Sequence, residues 1–220
     1  MHIGLIGGIG PAATDVYYRG LIRAAAEAGR ELNATIVHAD APTLLANLLA
    51  DRTDEQVAIY MRLADRLAQA GAECVAVPSI AGHFCIDAFA QASPLPVLDI
   101  THALSAWLAE RGTDRVGILG TRPVMASGMY GKLAPVEVIA PEGDELARVH
   151  DAYVALVSSG EATPELRTVF VEAGRAMMER GAEAIMLGGT DLNAAFDADP
   201  PDFPLVDCAR IHVDAIAMRI

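Results

Sequence analysis

Side chains that can transfer protons follow short apolar runs at two points in the chain. Ser79 and His83 come after the apolar run that ends at Val77, and Asp191 comes after a second run that ends at Leu187. A histidine and a carboxylate can act as general acid and base, and a serine can act as a nucleophile or a proton donor. We therefore take Ser79, His83 and Asp191 as candidate catalytic residues.

Residues near the same predicted strand ends are suited to binding a carboxylate. Threonine hydroxyls and backbone N–H groups at helix starts donate hydrogen bonds to anions, and a guanidinium pairs with a carboxylate. The candidate substrate-binding residues are Gly8, Asp40, Arg52, Ile80, Ala81, Thr121, Gly189 and Thr190. Arg122 is a second candidate cation. The combined set favours a small carboxylate as the substrate.

Each of the three catalytic candidates also has a plainer interpretation. Ser79 would then only hydrogen-bond a ligand carboxylate, and His83 would contact ligand or cap a helix. Asp191 would interact with a helix dipole rather than accept a proton. The residue types alone leave these alternatives open.

A metal centre is another alternative for the same region. Four side chains near the predicted strand ends are of types that bind zinc: His38, Asp40, His83 and His212. Their spacing matches no known ligand motif, so we expect no metal. The glycine-rich segment Gly7–Thr14 superficially suggests a dinucleotide loop, but a proline interrupts the GxGxxG pattern, so we expect no cofactor.

Three segments of the first half of the chain return in the second half in the same order. His2–Gly7 returns as Arg115–Gly120, Gly71–Ser79 as Gly181–Gly189, and Pro96–Asp99 as Pro204–Asp207. Such a duplication predicts two related lobes about a pseudo-two-fold axis, and a cleft between lobes is a usual place for a ligand. Because Ser79 and Gly189 end equivalent strands, we expect them to face each other across an active-site cleft.

Short apolar runs alternate with longer segments of helical periodicity. The predicted strands lie near residues 2–7, 33–38, 74–78, 96–99, 115–120, 136–140, 183–188 and 204–207. The predicted helices lie near residues 12–29, 54–70 (capped by Thr53), 83–91, 101–111, 123–132, 143–158, 164–180 and 208–218. The alternation favours an α/β fold of two α/β/α lobes with mostly parallel sheets. We assign residues 1–100 to the first lobe and 101–207 to the second, with a C-terminal helix at about 208–220 returning to the first.

The composition limits the kind of partner. The chain has 53% hydrophobic residues, enough for a core, and a formal net charge of −13. This acidity argues against nucleic acid and against an anionic membrane surface, since both favour basic patches. The sequence shows no export signal and no apolar run of membrane-spanning length, so we expect a cytoplasmic protein.

Several motifs resemble those of the aspartate/glutamate racemase superfamily, in its aspartate-racemase-like branch, over nearly the whole chain. The matching segments are Ile6–Thr14, Asp51-Arg52-Thr53, Gly117–Thr121 through Ser127–Tyr130, and Pro204–Asp207 through His212. The resemblance implies the two-lobed fold of that family. It also implies that Arg52 contacts a substrate carboxylate and that His83 matches a histidine of the family's first catalytic motif.

The chain departs from this family at the catalytic cysteines. Family racemases carry one cysteine in P-C-N-T-A-H and one in G-C-T-E/D; one thiolate removes the α-proton and the opposite thiol returns one. The corresponding residues here are Ser79 and Gly189, and Ser159 stands where the family has a substrate-binding lysine. Two-thiol racemisation therefore cannot operate, and only Cys85 or Cys208 could supply a relocated thiol. We expect Cys74 and Cys85 in the core.

These observations predict an enzyme of the superfamily that acts on a small carboxylic or amino acid without thiols. Its acid–base chemistry would be of the isomerase or lyase type. A catalytically silent carboxylate-binding homologue is one alternative, and a metal-assisted lyase or hydrolase is another. Because relatives are commonly dimers, the resemblance also implies a homodimer.

Overall fold

In the computed structural model, which describes residues 1–197 and 199–219, the apolar runs form two parallel four-stranded sheets. The strands of the first sheet are β1 (His2–Gly7), β2 (Asn33–His38), β3 (Cys74–Ala76) and β4 (Val97–Leu98), in the order β2-β1-β3-β4. Those of the second are β5 (Arg115–Gly120), β6 (Glu137–Ile139), β7 (Ala184–Gly188) and β8 (Leu205–Asp207), in the order β6-β5-β7-β8. The predicted α/β fold with parallel sheets is confirmed.

The internal repeat extends to the pairing of individual residues. Ile3 pairs with Cys74 in the first sheet, and Val116 pairs with Ala184 in the second. The outer pairs agree as well, because Val75 opposite Val97 corresponds to Ile185 opposite Leu205. The two sheets therefore share strand order and register, as the duplicated sequence predicts.

The strands are connected and covered by helices. These are α1 (Pro11–Glu27), α2 (Ala41–Leu49), α3 (Thr53–Gln69), α4 (Ile86–Ala92), α5 (Ile100–Glu110), α6 (Arg122–Ala126), α7 (Gly143–Ser159), α8 (Pro164–Glu179), α9 (Asn193–Phe196) and α10 (Cys208–Ala217). Short 3₁₀ turns lie at Ala81–Cys85, Met129–Gly131 and Thr190–Leu192. Within the described residues, no helix is both long and apolar enough to span a membrane.

Several predicted helix boundaries are wrong. The helix expected near 123–132 ends at Ala126, because Gly128 takes a left-handed φ of 55° that stops it. The helix expected near 83–91 opens as a 3₁₀ turn and becomes α-helical only at Ile86. Helix α3 is preceded by Arg52 rather than capped by Thr53, which is already its first residue.

The chain divides into two units. Unit 1 comprises Met1–Ile100 together with the segment from Ala209 onward, and unit 2 comprises Thr101–Cys208. In unit 1, buried residues of α3 and α4 pack with Ile6 on one face of the sheet, while those of α1 and α10 pack with Ile3 and Leu5 on the other. This alternation along β1 follows from the two-residue side-chain period of a strand.

Glycine allows α1 to approach α10 closely in unit 1. A Cβ atom at Gly20 would lie 2.8 Å from Cγ1 of Val213, which is 5% exposed. In unit 2, the ring of Phe203 packs in the same way on Gly174 of α8. The ring centroids of Phe170 and Phe196 lie 6.5 Å apart in the core of this unit. Full burial of such a side chain contributes about 1.5–3 kcal/mol.

Candidate functional site

The candidate residues of both units follow the carboxyl ends of parallel strands, where ligands bind in open α/β sheets. In unit 1, Ser79 follows β3 and Asp40 follows β2. In unit 2, Thr121 follows β5 and Gly189 follows β7. Gly120 and Gly188 pair at the ends of β5 and β7, so Thr121 and Gly189 leave their strands side by side.

Ser79 lies half-buried at the start of a tight turn. Its hydroxyl oxygen accepts a hydrogen bond from the backbone N–H of Gly82 at 3.3 Å. Ile80 is nearly buried, and the backbone N–H of His83 donates to the Ile80 carbonyl at 2.9 Å. The turn thus brings together Ser79, Ile80, Ala81 and His83, four of the predicted site residues.

The imidazole of His83 lies beneath this turn and is completely buried. Its Nδ1 is 2.6 Å from the carbonyl oxygen of Ser79, and a carbonyl only accepts, so Nδ1 carries the proton. Nε2 lies 3.8 Å from Oδ1 of Asp99, whose side chain is 7% exposed. His83 therefore supports the Ser79 turn from below instead of presenting its ring to solvent.

His212 of α10 extends this buried polar group. Its Nε2 donates to the carbonyl of Leu98 at 3.0 Å, so Nδ1 accepts from the hydroxyl of Tyr17 at 2.8 Å. Burial lowers the pKa of His212 to about 3, with a further contribution from His83. The rings of His83 and His212 meet edge to face with centroids 6.4 Å apart. His212 is consequently a neutral structural histidine at physiological pH.

Gly8 and Asp40 shape the neighbouring loops of unit 1. Gly8 has a φ of 91°, and a Cβ there would lie 2.5 Å from the carbonyl oxygen of Ala39, so only glycine fits this approach. The carboxylate of Asp40 caps α2 by accepting from the backbone N–H of Thr43 at 2.9 Å. Hydrogen bonds from the side chain and backbone of Thr43 hold the pKa of Asp40 below its ordinary value. The exposed carboxylate of Asp40 is therefore negatively charged at neutral pH.

Arg52 is exposed at the start of α3. Its backbone N–H donates to the carbonyl of Asn47 at 2.8 Å, and the preceding residue, Asp51, has a left-handed φ of 53°. Its guanidinium pairs with no carboxylate among residues 1–197 and 199–219. Arg52 is thus available to an external anion.

The loop after β5 in unit 2 meets α7. The backbone N–H of Arg122 donates to Nδ1 of His150 at 3.2 Å. The hydroxyl oxygen of Thr121 is buried and has no hydrogen-bond partner within the described part of the chain. A buried unpaired hydroxyl is costly, so it favours a ligand that hydrogen-bonds there.

Gly189 of unit 2 is covered by Tyr153, a residue that the sequence analysis did not select. A Cβ atom at Gly189 would lie 2.5 Å from Cζ of Tyr153 and 2.6 Å from Cε2. The phenol therefore occupies the space of a side chain at position 189. Its hydroxyl donates to Oδ2 of Asp191 at 3.4 Å, which brings Gly189, Thr190, Asp191 and Tyr153 into one group.

The three cysteines are free thiols in buried positions. Burial raises the pKa of Cys85 to about 12, and it also raises the pKa values of Cys208 and Cys74. All three therefore remain protonated near neutral pH, which removes the nucleophilic and basic form of a thiol. Among the residues that the structure describes, no three His, Cys, Asp or Glu side chains are grouped as metal ligands.

Sequence reasoning missed Tyr153 and His150 because neither belongs to a recognisable motif. Both lie on α7, three residues apart, so they share one face of that helix. The helical spacing could have grouped them. Only the fold brings that face to the ends of β5 and β7.

The sequence profile of the Asp/Glu/Hydantoin racemase family matches residues 6–216 of this chain. That range contains every candidate residue of both units. The match therefore concerns the whole fold and all of the strand-end loops described above.

Solved structures with this fold match over nearly the full chain. One from Yersinia pestis, named provisionally as an Asp/Glu racemase, has a TM-score of 0.87 at 27% identity, covering 100% of this chain and 99% of its own. An aspartate racemase homologue from Pyrococcus horikoshii has a TM-score of 0.83 at 23% identity, covering 99% and 98%. A glutamate racemase from Francisella tularensis, solved with D-glutamate, has a TM-score of 0.70 at 16% identity, covering 99% and 80%. The last two show likeness of fold alone.

Proposed function

Because the chain belongs to the Asp/Glu/Hydantoin racemase family, we propose that it is an enzyme that moves protons on a small carboxylic or amino acid without using thiols. One observation carries this proposal. The strand ends where the family resemblance places catalytic cysteines hold Ser79 and Gly189, while all three cysteines are buried with raised pKa values. Acid–base chemistry of the isomerase or lyase type then falls to oxygen and nitrogen groups.

We assign the reacting groups to Ser79 and Asp191, with His83 acting on Ser79. Asp191 is a half-buried carboxylate that can accept a proton, and Ser79 is a half-buried hydroxyl that can donate one. His83 fixes the backbone of the Ser79 turn through its Nδ1–H, so its part in this proposal is positioning. Because the turn is already fixed, the Ser79 hydroxyl needs little reorganisation during the reaction.

The substrate's carboxylate groups would bind hydroxyl, backbone and guanidinium donors. Thr121 offers a buried hydroxyl without a partner among the described residues, and Arg52 offers an exposed guanidinium. The remaining proposed binding residues are Gly8, Asp40, Ile80, Ala81, Gly189 and Thr190. The negative charge of Asp40 would favour a substrate amino group over a second carboxylate, because opposite charges attract.

The proposal is tested by NMR in D₂O with defined probes. The purified chain is incubated with L- and D-aspartate, L- and D-glutamate, phenylmalonate and maleate, and loss or rearrangement of the carbon-bound proton signals is followed. We expect at least one probe to react, and the double variant Ser79→Ala with Asp191→Asn to be inactive on it. Binding of a probe with an unchanged spectrum would instead support the silent carboxylate-binding homologue.

The metal-assisted alternative has its own test. Elemental analysis of the purified protein would show a stoichiometric metal if a lyase or hydrolase reaction used one. We expect activity on the reactive probe to survive treatment with EDTA. Loss of activity with EDTA and recovery with added Zn²⁺ would contradict the thiol-free acid–base proposal.

We also propose a cytoplasmic homodimer. Large exposed apolar side chains occur on α7, at Val154 and Val157, and on α2, at Leu45 and Leu49. Exposed apolar groups of this kind are common where copies of a chain associate. Light scattering after gel filtration measures the mass directly, and a mass near 23.1 kDa would contradict the dimer.

A further inference from the structure

The phenol of Tyr153 occupies the place of a side chain at position 189. Its Cζ and Cε2 atoms lie 2.5 and 2.6 Å from where a Cβ of Gly189 would be, and its hydroxyl oxygen is closer still. Gly189 itself has an extended backbone, with φ of −161° and ψ of 135°, so the glycine is not required by its conformation. It is required by the phenol that packs on it. In this pair, a hydroxyl from α7 therefore takes the place of a side chain at the position that follows β7.

Asp191 lies beside this hydroxyl. The Tyr153 oxygen is 3.4 Å from Oδ2 of Asp191, which is long for a hydrogen bond from O–H to a carboxylate. The carboxylate of Asp191 therefore binds the phenolic proton only weakly. The proton remains free to turn towards another acceptor in the same region.

The surroundings of Tyr153 keep it in the phenol form. Burial raises the pKa of Tyr153, and the negative charge of Asp191 raises it further. A group with such an environment is a proton donor at neutral pH rather than a base. A strongly perturbed tyrosine whose hydroxyl lies against a strand-end loop also fits the general association of perturbed groups with active sites.

We propose that Tyr153 is a catalytic acid that delivers a proton to the substrate from the position that the family resemblance assigns to the second cysteine. This inference rests on the proposed function. When a substrate C–H bond breaks, its proton passes to the carboxylate of Asp191 and the electron pair stays on carbon; when a C–C bond to a carboxylate breaks, CO₂ leaves and the electron pair stays on carbon. In either case the O–H bond of Tyr153 then breaks as a new C–H bond forms. The phenolate then recovers a proton from solvent water. Once Asp191 is ionised again, its carboxylate repels the phenolate, which favours the neutral phenol.

This role differs from mere filling of space. A space-filling Tyr153 needs only its ring, whereas a proton donor needs its hydroxyl. Tyr153→Phe keeps the ring against Gly189 and removes the hydroxyl alone. The exposed Tyr18 of α1 offers a matched control, because Tyr18→Phe makes the same chemical change at a surface position of unit 1.

The experiment compares the full-length wild type, Tyr153→Phe and Tyr18→Phe on the same probes in D₂O: aspartate, glutamate, phenylmalonate and maleate. For a reactive probe we expect Tyr153→Phe to lower kcat at least about 100-fold, the usual contribution of a general acid, with KM within about threefold. Tyr18→Phe should match the wild type. Circular dichroism and thermal unfolding establish that both variants fold.

Tyr153→Met provides a second reading that does not depend on Tyr153→Phe folding. It also removes the hydroxyl while filling much of the volume of the ring, so it should lower kcat by a factor similar to that of Tyr153→Phe. A folded Tyr153→Met variant with kcat within about threefold of the wild type would overturn the inference.

The outcomes separate the two proposals. If the wild type reacts with a probe and Tyr153→Phe reacts within about threefold of it, Tyr153 is not the acid, although the proposed function stands. If the wild type reacts with no probe, the proposed function fails and the role of Tyr153 fails with it. A large loss of kcat on removal of the Tyr153 hydroxyl, with Tyr18→Phe like the wild type, supports the assignment.

Discussion

The imidazole of His83 donates its Nδ1–H to the backbone carbonyl of Ser79 at 2.6 Å. This hydrogen bond joins a buried side chain to the turn that carries a candidate reactive hydroxyl. It ties the conformation of the turn to the core of unit 1.

Replacement of His83 should destabilise the protein through the Ser79 turn. His83→Ala leaves the part-buried Ser79 carbonyl without its donor and opens a cavity, so we expect a loss of about 2–4 kcal/mol in the free energy of unfolding. His83→Asn keeps an N–H donor near the Nδ1 position and should lose about half as much. Urea unfolding of both variants measures this difference, and an Ala variant within about 0.5 kcal/mol of the wild type would contradict it.

His212 should make stability depend on pH. Its pKa of about 3 in the folded state lies below the ordinary value of 6.5, so the unfolded chain binds more protons between these values. The stability that neutral His212 contributes to the folded protein is therefore fully present above pH 6.5, and it is lost as the pH falls towards 3. Between pH 7 and pH 5 we expect the free energy of unfolding to fall by about 2 kcal/mol because of this group.

The contribution of His212 can be isolated with a variant. His212→Asn removes the titrating group, so its stability should fall less steeply between pH 7 and pH 5 than that of the wild type. Urea unfolding at the two pH values gives both slopes. Equal slopes would mean that His212 titrates normally in the folded protein.

Gly189 and Tyr153 should be coupled in a double-mutant cycle. Gly189→Ala places a methyl group into the Tyr153 ring, and overpacking of this kind costs about 1–3 kcal/mol. In a Tyr153→Ala background the space is open, so the same change should cost much less. We expect a coupling of at least about 1 kcal/mol from thermal or urea unfolding.

A control cycle uses Tyr130 of the same unit in place of Tyr153. The three atoms nearest to a Cβ at Gly189 all belong to Tyr153 and none to Tyr130, so Tyr130→Ala and Gly189→Ala should be additive within about 0.5 kcal/mol. Additivity in both cycles would show that the phenol does not fill the side-chain position.

The cysteines should be inert in the folded protein. Because Cys74, Cys85 and Cys208 are each 3% exposed or less and have raised pKa values, iodoacetamide should label none of them at pH 8 in the absence of denaturant. All three should be labelled in urea, as mass spectrometry would show. Fast labelling of Cys85 or Cys208 in the native state would reopen the case for a relocated thiol.

The strands were predictable because their pattern is simple. Buried parallel strands are short and mostly apolar, and the internal repeat supported six of the eight strands by a second occurrence: β1 with β5, β3 with β7 and β4 with β8. Helix α2 was not predicted because its nine residues, Ala41–Leu49, are too few to establish a helical period. The end of α6 depended on the left-handed Gly128, and a glycine in a sequence does not reveal its φ.

The candidate site was predictable only in part. Motifs and strand ends selected Ser79 and Gly189, since these features are local in sequence. The Tyr153 phenol reaches Gly189 from a different helix, so no local pattern could link the two residues. Tyr153 fills the space that the absence of a side chain at position 189 leaves open. Sequence similarly located His83 without showing that its ring is buried against the Ser79 carbonyl.

Helix α10 has a consequence for the synthesis of the protein. Ala209, Val213 and Ile216 complete one face of the first sheet, and His212 bonds to Leu98 in the same unit. A ribosome makes residues 101–207 before it makes this helix. Unit 1 therefore waits for its last structural element until the whole of unit 2 has been translated, so a nascent chain that stops before Cys208 exposes Ile3 and Leu5 to water.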